Sequence, residues 1–129
     1  MKFLLDGHTL YWLVFKPELL PKRTADALDD EQNELFVSRA TLWEMSAKMS
    51  RGGLPIPGNS IRYLLEQIER LGIAILLIEM TDIVRTETLP LIHLDPFDRL
   101  LIAQALERDL TILTKDRHVH SYAVPCIWK

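Results

Sequence analysis

HLDPFDRLLIAQA, residues 93–105, sets two carboxylates, Asp95 and Asp98, three positions apart at the entry to an apolar run. Leu100, Leu101, Ile102, Ala103, Ala105 and Leu106 follow, so the stretch predicts a helix over 95–108 whose body lies against a core. Asp95 before Pro96 makes a good N-cap, because Asp accepts bonds from the orphan amides and Pro fits the first helical position. Asp98, in the first turn, is favoured by the helix dipole, worth about 0.3–1 kcal/mol. One acid suffices for that, and Asp98 shares its face with Ile102 and Ala105 rather than with solvent. A carboxylate beside a core is costly unless something holds it. Either the pair is only a cap, or it belongs to a metal site.

The surrounding sequence supplies the frame. Short apolar segments at 2–5, 34–37, 73–78, 111–114 and 124–128 read as strands. Between them lie helical stretches at 8–15, 21–30, 39–51, 60–71 and 81–89, with Ser38, Asn59 or Ser60, and Thr81 as their caps. Strands alternating with helices, and apolar without period-2 alternation, predict a mostly parallel sheet buried on both faces. The expected fold class is α/β, a three-layer α/β/α sandwich forming one domain over 1–129. In such folds ligands bind beyond the carboxyl ends of the strands. Asp6 directly follows the first strand, and Asp116 comes just after the fourth. Glu44 falls in the second turn of the helix after strand two, and Asp98 in the first turn of the helix before strand four. Four acids from distant parts of the chain can therefore meet in one cleft.

Composition narrows the chemistry. The chain has 129 residues, 48% hydrophobic and 26% charged, as in an ordinary globular domain. Its longest apolar run, 73–78, is too short to cross a bilayer, and Asp6 interrupts the only stretch resembling a signal peptide, so a cytoplasmic location is expected. One cysteine, Cys126, excludes an internal disulfide and a cysteine zinc site. His118 and His120, two apart in an expected loop, lack the spacing of a zinc motif. A net charge of −3 advertises no nucleic-acid surface. Neutralising four carboxylates with divalent cations would tip that balance positive, and Arg39, Lys48, Arg51, Arg99, Lys115 and Arg117 lie near the acids in sequence.

Each acid also has a simpler explanation. Asp6 can cap the helix after it, Glu44 can pair with Lys48 at i,i+4 for about 0.2–0.5 kcal/mol, and Asp116 can be a turn residue. Their joint placement at one sheet edge favours the common site. Converging carboxylates raise one another's pKa, and a hard divalent cation reverses that penalty. Mg²⁺ and Mn²⁺ take oxygen ligands and can bridge carboxylates to phosphates, which fits phosphoryl chemistry.

LLDGH at 4–8, SRATLWEMSAK at 38–48, LPLIHLDPFDRLLIAQA at 89–105 and TILTKDR at 111–117 together resemble the PIN-domain family, in its VapC-type branch from bacterial toxin–antitoxin modules. The resemblance spans essentially the whole chain, and DPFDRLLIAQA is its most specific part. It implies a parallel sheet flanked by helices and an Mg²⁺- or Mn²⁺-dependent endoribonuclease. The catalytic, metal-holding quartet maps onto Asp6, Glu44, Asp98 and Asp116, with Asp95 and Thr114 in support and Arg99, Lys115 and Arg117 as candidates for RNA contact. The resemblance also implies a homodimer and a small VapB-like antitoxin, through which alone DNA would be reached. Gly7 departs from the pattern, since members commonly carry a hydroxyl residue there, usually Thr.

Two other acid-bearing folds fail on single residues. A receiver domain wants adjacent acids after the first strand and an acceptor Asp after the third, and a haloacid-dehalogenase-like phosphatase wants an Asp where His8 stands. The alternative left is a catalytically impaired PIN fold retained as a binding partner for the antitoxin. For association, the aromatic-rich helices carrying Leu10, Tyr11, Trp12 and Phe15, and Trp43, Met45 and Met49, are the expected surfaces.

Overall fold

The computed structural model describes residues 1–129. Five parallel strands lie in the order β3-β2-β1-β4-β5: β1 (Lys2–Leu5), β2 (Glu34–Ser38), β3 (Ala74–Leu76), β4 (Thr111–Leu113) and β5 (Cys126–Ile127). The helices are α1 (Gly7–Phe15), α2 (Lys22–Asp29), α3 (Arg39–Ser50), α4 (Ile61–Arg70), α5 (Met80–Thr86), α6 (Pro96–Arg108) and α7 (Arg117–His120). Two apolar layers sandwich the sheet. Phe3 and Leu5 of β1 join Leu10, Met45, Leu64 and Ile68 on one side, while Leu4 joins Leu101, Ile102, Ala105 and Ile112 on the other. Successive strand residues point to opposite faces, so a strand covered on both must be apolar throughout. The three-layer parallel architecture is the one expected.

Three elements differ from the expectation, each for a local reason. β3 is shorter than 73–78 because its partner β2 ends at Ser38, which pairs with Leu76 and then caps α3 through Oγ to the Ala40 N–H at 3.1 Å. Leu77 and Ile78 therefore leave the sheet and are exposed, and Ile75 on the edge strand is exposed too. α5 begins at Met80, ahead of the expected Thr81 cap, because the Asp82 carboxylate accepts the Glu79 N–H at 2.9 Å. Residues 117–120 form the short helix α7 instead of a loop, since Asp116 Oδ1 accepts the His118 N–H at 2.8 Å as its N-cap.

The chain steps outward from β1 through β2 to β3, then crosses back through α5 and α6 to place β4 on the other side of β1. The switch point thus lies between β1 and β4, where Leu5 pairs with Leu113. Parallel α/β sheets open a crevice at such a point.

Candidate active site

The crevice at the carboxyl ends of β1 and β4 has a volume of about 470 Å³ and is lined by Asp6, Glu44, Asp95, Asp98 and Asp116, with Lys48 and Lys115 among its cations. The four acids of the expected quartet do converge. Asp6 sits between β1 and α1, with Oδ1 accepting the Thr9 N–H at 2.8 Å. Its Oδ2 accepts the hydroxyl of fully buried Thr114, and the same hydroxyl accepts the Asp116 N–H at 3.0 Å. Thr114 therefore fixes the two acids across the switch point. A hydroxyl thus stands beside Asp6 although position 7 is glycine. A Cβ at Gly7 would lie 3.6 Å from Met45 Cγ and 3.7 Å from Thr41 Cγ2, ordinary contacts, so the glycine is not required by crowding.

Asp95 is the cap the sequence indicates: Oδ1 accepts the Phe97 and Asp98 N–H groups at 2.8 and 3.3 Å. Asp95→Ala should cost about 1 kcal/mol of stability, read by urea denaturation, while leaving the Asp98 side chain in the cleft. Unchanged stability would show that the cap contributes nothing.

The electrostatics follow from this crowding. Burial first, then the charges of Asp95, Asp116 and Glu44, push the Asp98 carboxyl up to about 6, against the opposing influence of His93. Burial also raises Glu44; Lys48 opposes the rise, and Asp95 and Asp6 add to it. Cys126, away from the cleft, is pushed by burial to about 11, which fits a packing role rather than a reactive thiol.

Of the expected RNA-contacting cations, only Lys115 lines the cleft; its Nζ stands 4.7 Å from the centre of the Trp12 ring. Arg117 is exposed on α7 and outside the lining. Arg99 is turned elsewhere. Its guanidinium donates to the carbonyls of Thr86 at 2.8 Å, Pro90 at 2.9 Å and Leu89 at 3.3 Å, fastening the loop that leads into α6.

Sequence reasoning overlooked His93. Its Nε2 lies 3.0 Å from Asp98 Oδ2, and its ring stacks on His118 with centroids 4.4 Å apart. The donor atoms of His93, Asp98 and Asp116 all lie within 4.8 Å of one another, close enough to share an ion. The only signal was its place two residues before the Asp95 cap, where the chain must turn into α6.

A parallel α/β domain whose acids converge at the switch point belongs to a class suited to divalent cations and phosphates. The chain matches the PIN domain over residues 3–125, and it belongs to that family. It is 31% identical over 125 residues to Ribonuclease VapC22 of Mycobacterium tuberculosis (strain ATCC 25618 / H37Rv), covering 95% of this chain and 92% of that protein. In structure it is similar to VapBC2 from Rickettsia felis, bound to a DNA fragment from their promoter, with a TM-score of 0.76, 14% identity and full coverage of both chains. VapBC-1 from nontypeable Haemophilus influenzae matches with a TM-score of 0.66 at 16% identity, over 98% of this chain and 97% of that one. FitAcB from Neisseria gonorrhoeae matches with the same TM-score at 19% identity, over 97% and 96%. At such identities the structural likeness is one of fold.

Proposed function

We propose that the protein is an Mg²⁺- or Mn²⁺-dependent endoribonuclease, the toxin of a toxin–antitoxin pair, acting in the cytoplasm and inhibited by a small VapB-like antitoxin. The observation that carries the reading is the convergence of Asp6, Glu44, Asp98 and Asp116 in one crevice, with Asp98 raised to about 6. Burial and the neighbouring carboxylates disfavour the ionised form of Asp98, and the all-carboxylate quartet suits a hard divalent cation. The bound ion would lower the pKa of a water and stabilise charge on the scissile phosphate. The chain's own residues do the rest. Thr114 holds Asp6 and Asp116 in register, and Asp95 anchors the first turn that presents Asp98. Lys48 and Lys115 bring positive charge to the rim for the phosphates flanking the cut.

The test is cleavage of single-stranded RNA by purified protein with Mg²⁺ or Mn²⁺, against a chelator and against Asp6→Asn and Asp116→Asn. Metal-dependent cleavage by the parent and its loss in both variants supports the reading. Antitoxin binding without cleavage in any metal would favour the impaired-nuclease alternative.

For association, the exposed apolar surface of the molecule adds a second candidate to the helices expected from the sequence. Leu10 and Met45 are buried, and Trp12 packs on Trp128 at 5.7 Å beneath Lys115. Trp43 of α3 stays exposed, and a contiguous set of exposed apolar side chains lies on the β3 edge and α5: Ile75, Leu77, Met80, Ile83 and Val84. Positions 80, 83 and 84 share one helical face, and an unpaired apolar sheet edge beside it invites a partner. We assign the homodimer seam to this face. Val84→Asp should give a folded monomer in sedimentation velocity; an unchanged dimer would place the seam elsewhere.

A further inference from the structure

His93 is held far more firmly than a bystander needs to be. The buried Tyr122 hydroxyl accepts the His93 N–H at 2.9 Å and donates to the His93 carbonyl at 3.1 Å. Arg99 Nη1 stands 3.3 Å from the same hydroxyl, tying this clasp to the fastened loop. The imidazole is stacked on His118 with the ring planes only 3° apart, which fixes its tilt. Backbone and ring are thus both set, with Nε2 directed at Asp98 Oδ2. These contacts hold the ring beside the place that an ion shared with Asp98 and Asp116 would occupy.

We propose that His93 Nε2 joins the carboxylates of Asp98 and Asp116 in holding the divalent ion, so that the site is a mixed nitrogen–oxygen one that favours Mn²⁺ over Mg²⁺. This rests on the metal-dependent nuclease reading and names its ion. Imidazole suits first-row transition ions, whereas Mg²⁺ demands near-ideal oxygen octahedra and retains its waters. Where His93, Asp98 and Asp116 lie within 4.8 Å of one another, an ion that accepts the nitrogen gains a ligand that Mg²⁺ uses poorly.

The experiment loads the full-length protein with Mn²⁺ and records electron spin-echo modulation, which detects a ¹⁴N nucleus bound to the ion. Competition titrations give the Mn²⁺ and Mg²⁺ affinities. The parent should show the nitrogen coupling, and His93→Gln should lose it. That variant should also bind Mn²⁺ about 10–100-fold more weakly, while Mg²⁺ affinity changes by no more than about threefold. If His93 only positions Asp98, both ions should weaken alike and the preference should persist, which overturns the proposal. Mn²⁺ bound without nitrogen coupling in the parent overturns it as well, yet leaves the metal-dependent nuclease standing. Failure of the parent to bind either ion overturns both readings. Should His93→Gln not fold, coupling retained in His8→Ala and in His118→Phe, which keeps a ring for His93 to stack on, would assign the nitrogen to His93, and coupling lost in either would assign it elsewhere.

Discussion

Asp98→Asn is expected to lower RNA cleavage by roughly a thousandfold or more, equivalent to about 4 kcal/mol of lost transition-state stabilisation. The same substitution should leave the metal-free fold more stable at neutral pH. In the parent the Asp98 carboxyl is raised from its ordinary 3.8 to about 6. The folded protein therefore binds a proton more tightly than the unfolded chain between those values. Stability contributed by this group is full below about 4, falls as pH rises towards 6, and is gone above it. An amide in its place removes that loss. Its gain at pH 7 should be about 1–2 kcal/mol, less than the full shift implies because part of the side chain remains in water. Thermal melts of both proteins in chelator from pH 4 to 8 read the effect. Parallel curves would mean that the acid is not under strain. In the parent, metal affinity should rise with pH through about 6, because ion and proton compete for the same oxygens.

Arg108→Ala should be the most damaging single change away from the cleft. Asp82 is fully buried in α5, and Arg108 of α6 grips it with two bonds, Nη1 to Oδ1 at 2.5 Å and Nη2 to Oδ2 at 2.9 Å. Burial would drive Asp82 upward, but the bonds from Arg108 and the Glu79 N–H hold its carboxyl below the usual range. Removing the guanidinium strands a buried charge, which costs about 3–5 kcal/mol. For a domain of this size the melting temperature should fall by roughly 10–20 °C. The sign of the pH dependence is opposite to that at Asp98. The stabilisation is present above the ordinary Asp pKa and fades as pH drops. An apolar pair, Asp82→Leu with Arg108→Met, should recover most of the loss. If Arg108→Ala melts within a few degrees of the parent, α5 is not anchored through this pair.

The sheet was legible because its central strands must be apolar on both faces, and β1 and β2 carry that signature in FLL and LFV. The ends of edge elements were less so, because a neighbour decides them. β3 stops where β2 stops, and nothing within IAILLI announces that limit. The quartet could be read from the rule placing ligands beyond strand ends, since Asp6 and Asp116 flank adjacent strands. His93 could not, because its role depends on Tyr122 and His118 arriving from the far end of the chain. The same is true of Arg99: its charge is visible in sequence, but the carbonyls that engage it are not. Among the aromatics, composition gave no means of separating Trp12, packed on Trp128, from Trp43, which is 68% exposed and edge-on to Phe97.

The Thr114–Asp6 bond closes a separation of 108 residues. Translation proceeds from the N-terminus at about 5–20 residues per second, so the first acid emerges from the ribosome long before its partners. Until β4 pairs with β1, the crevice lacks the side formed by Lys115 and Asp116. A site built this way is complete only once residues near the far end of the chain have joined the strand that opened it.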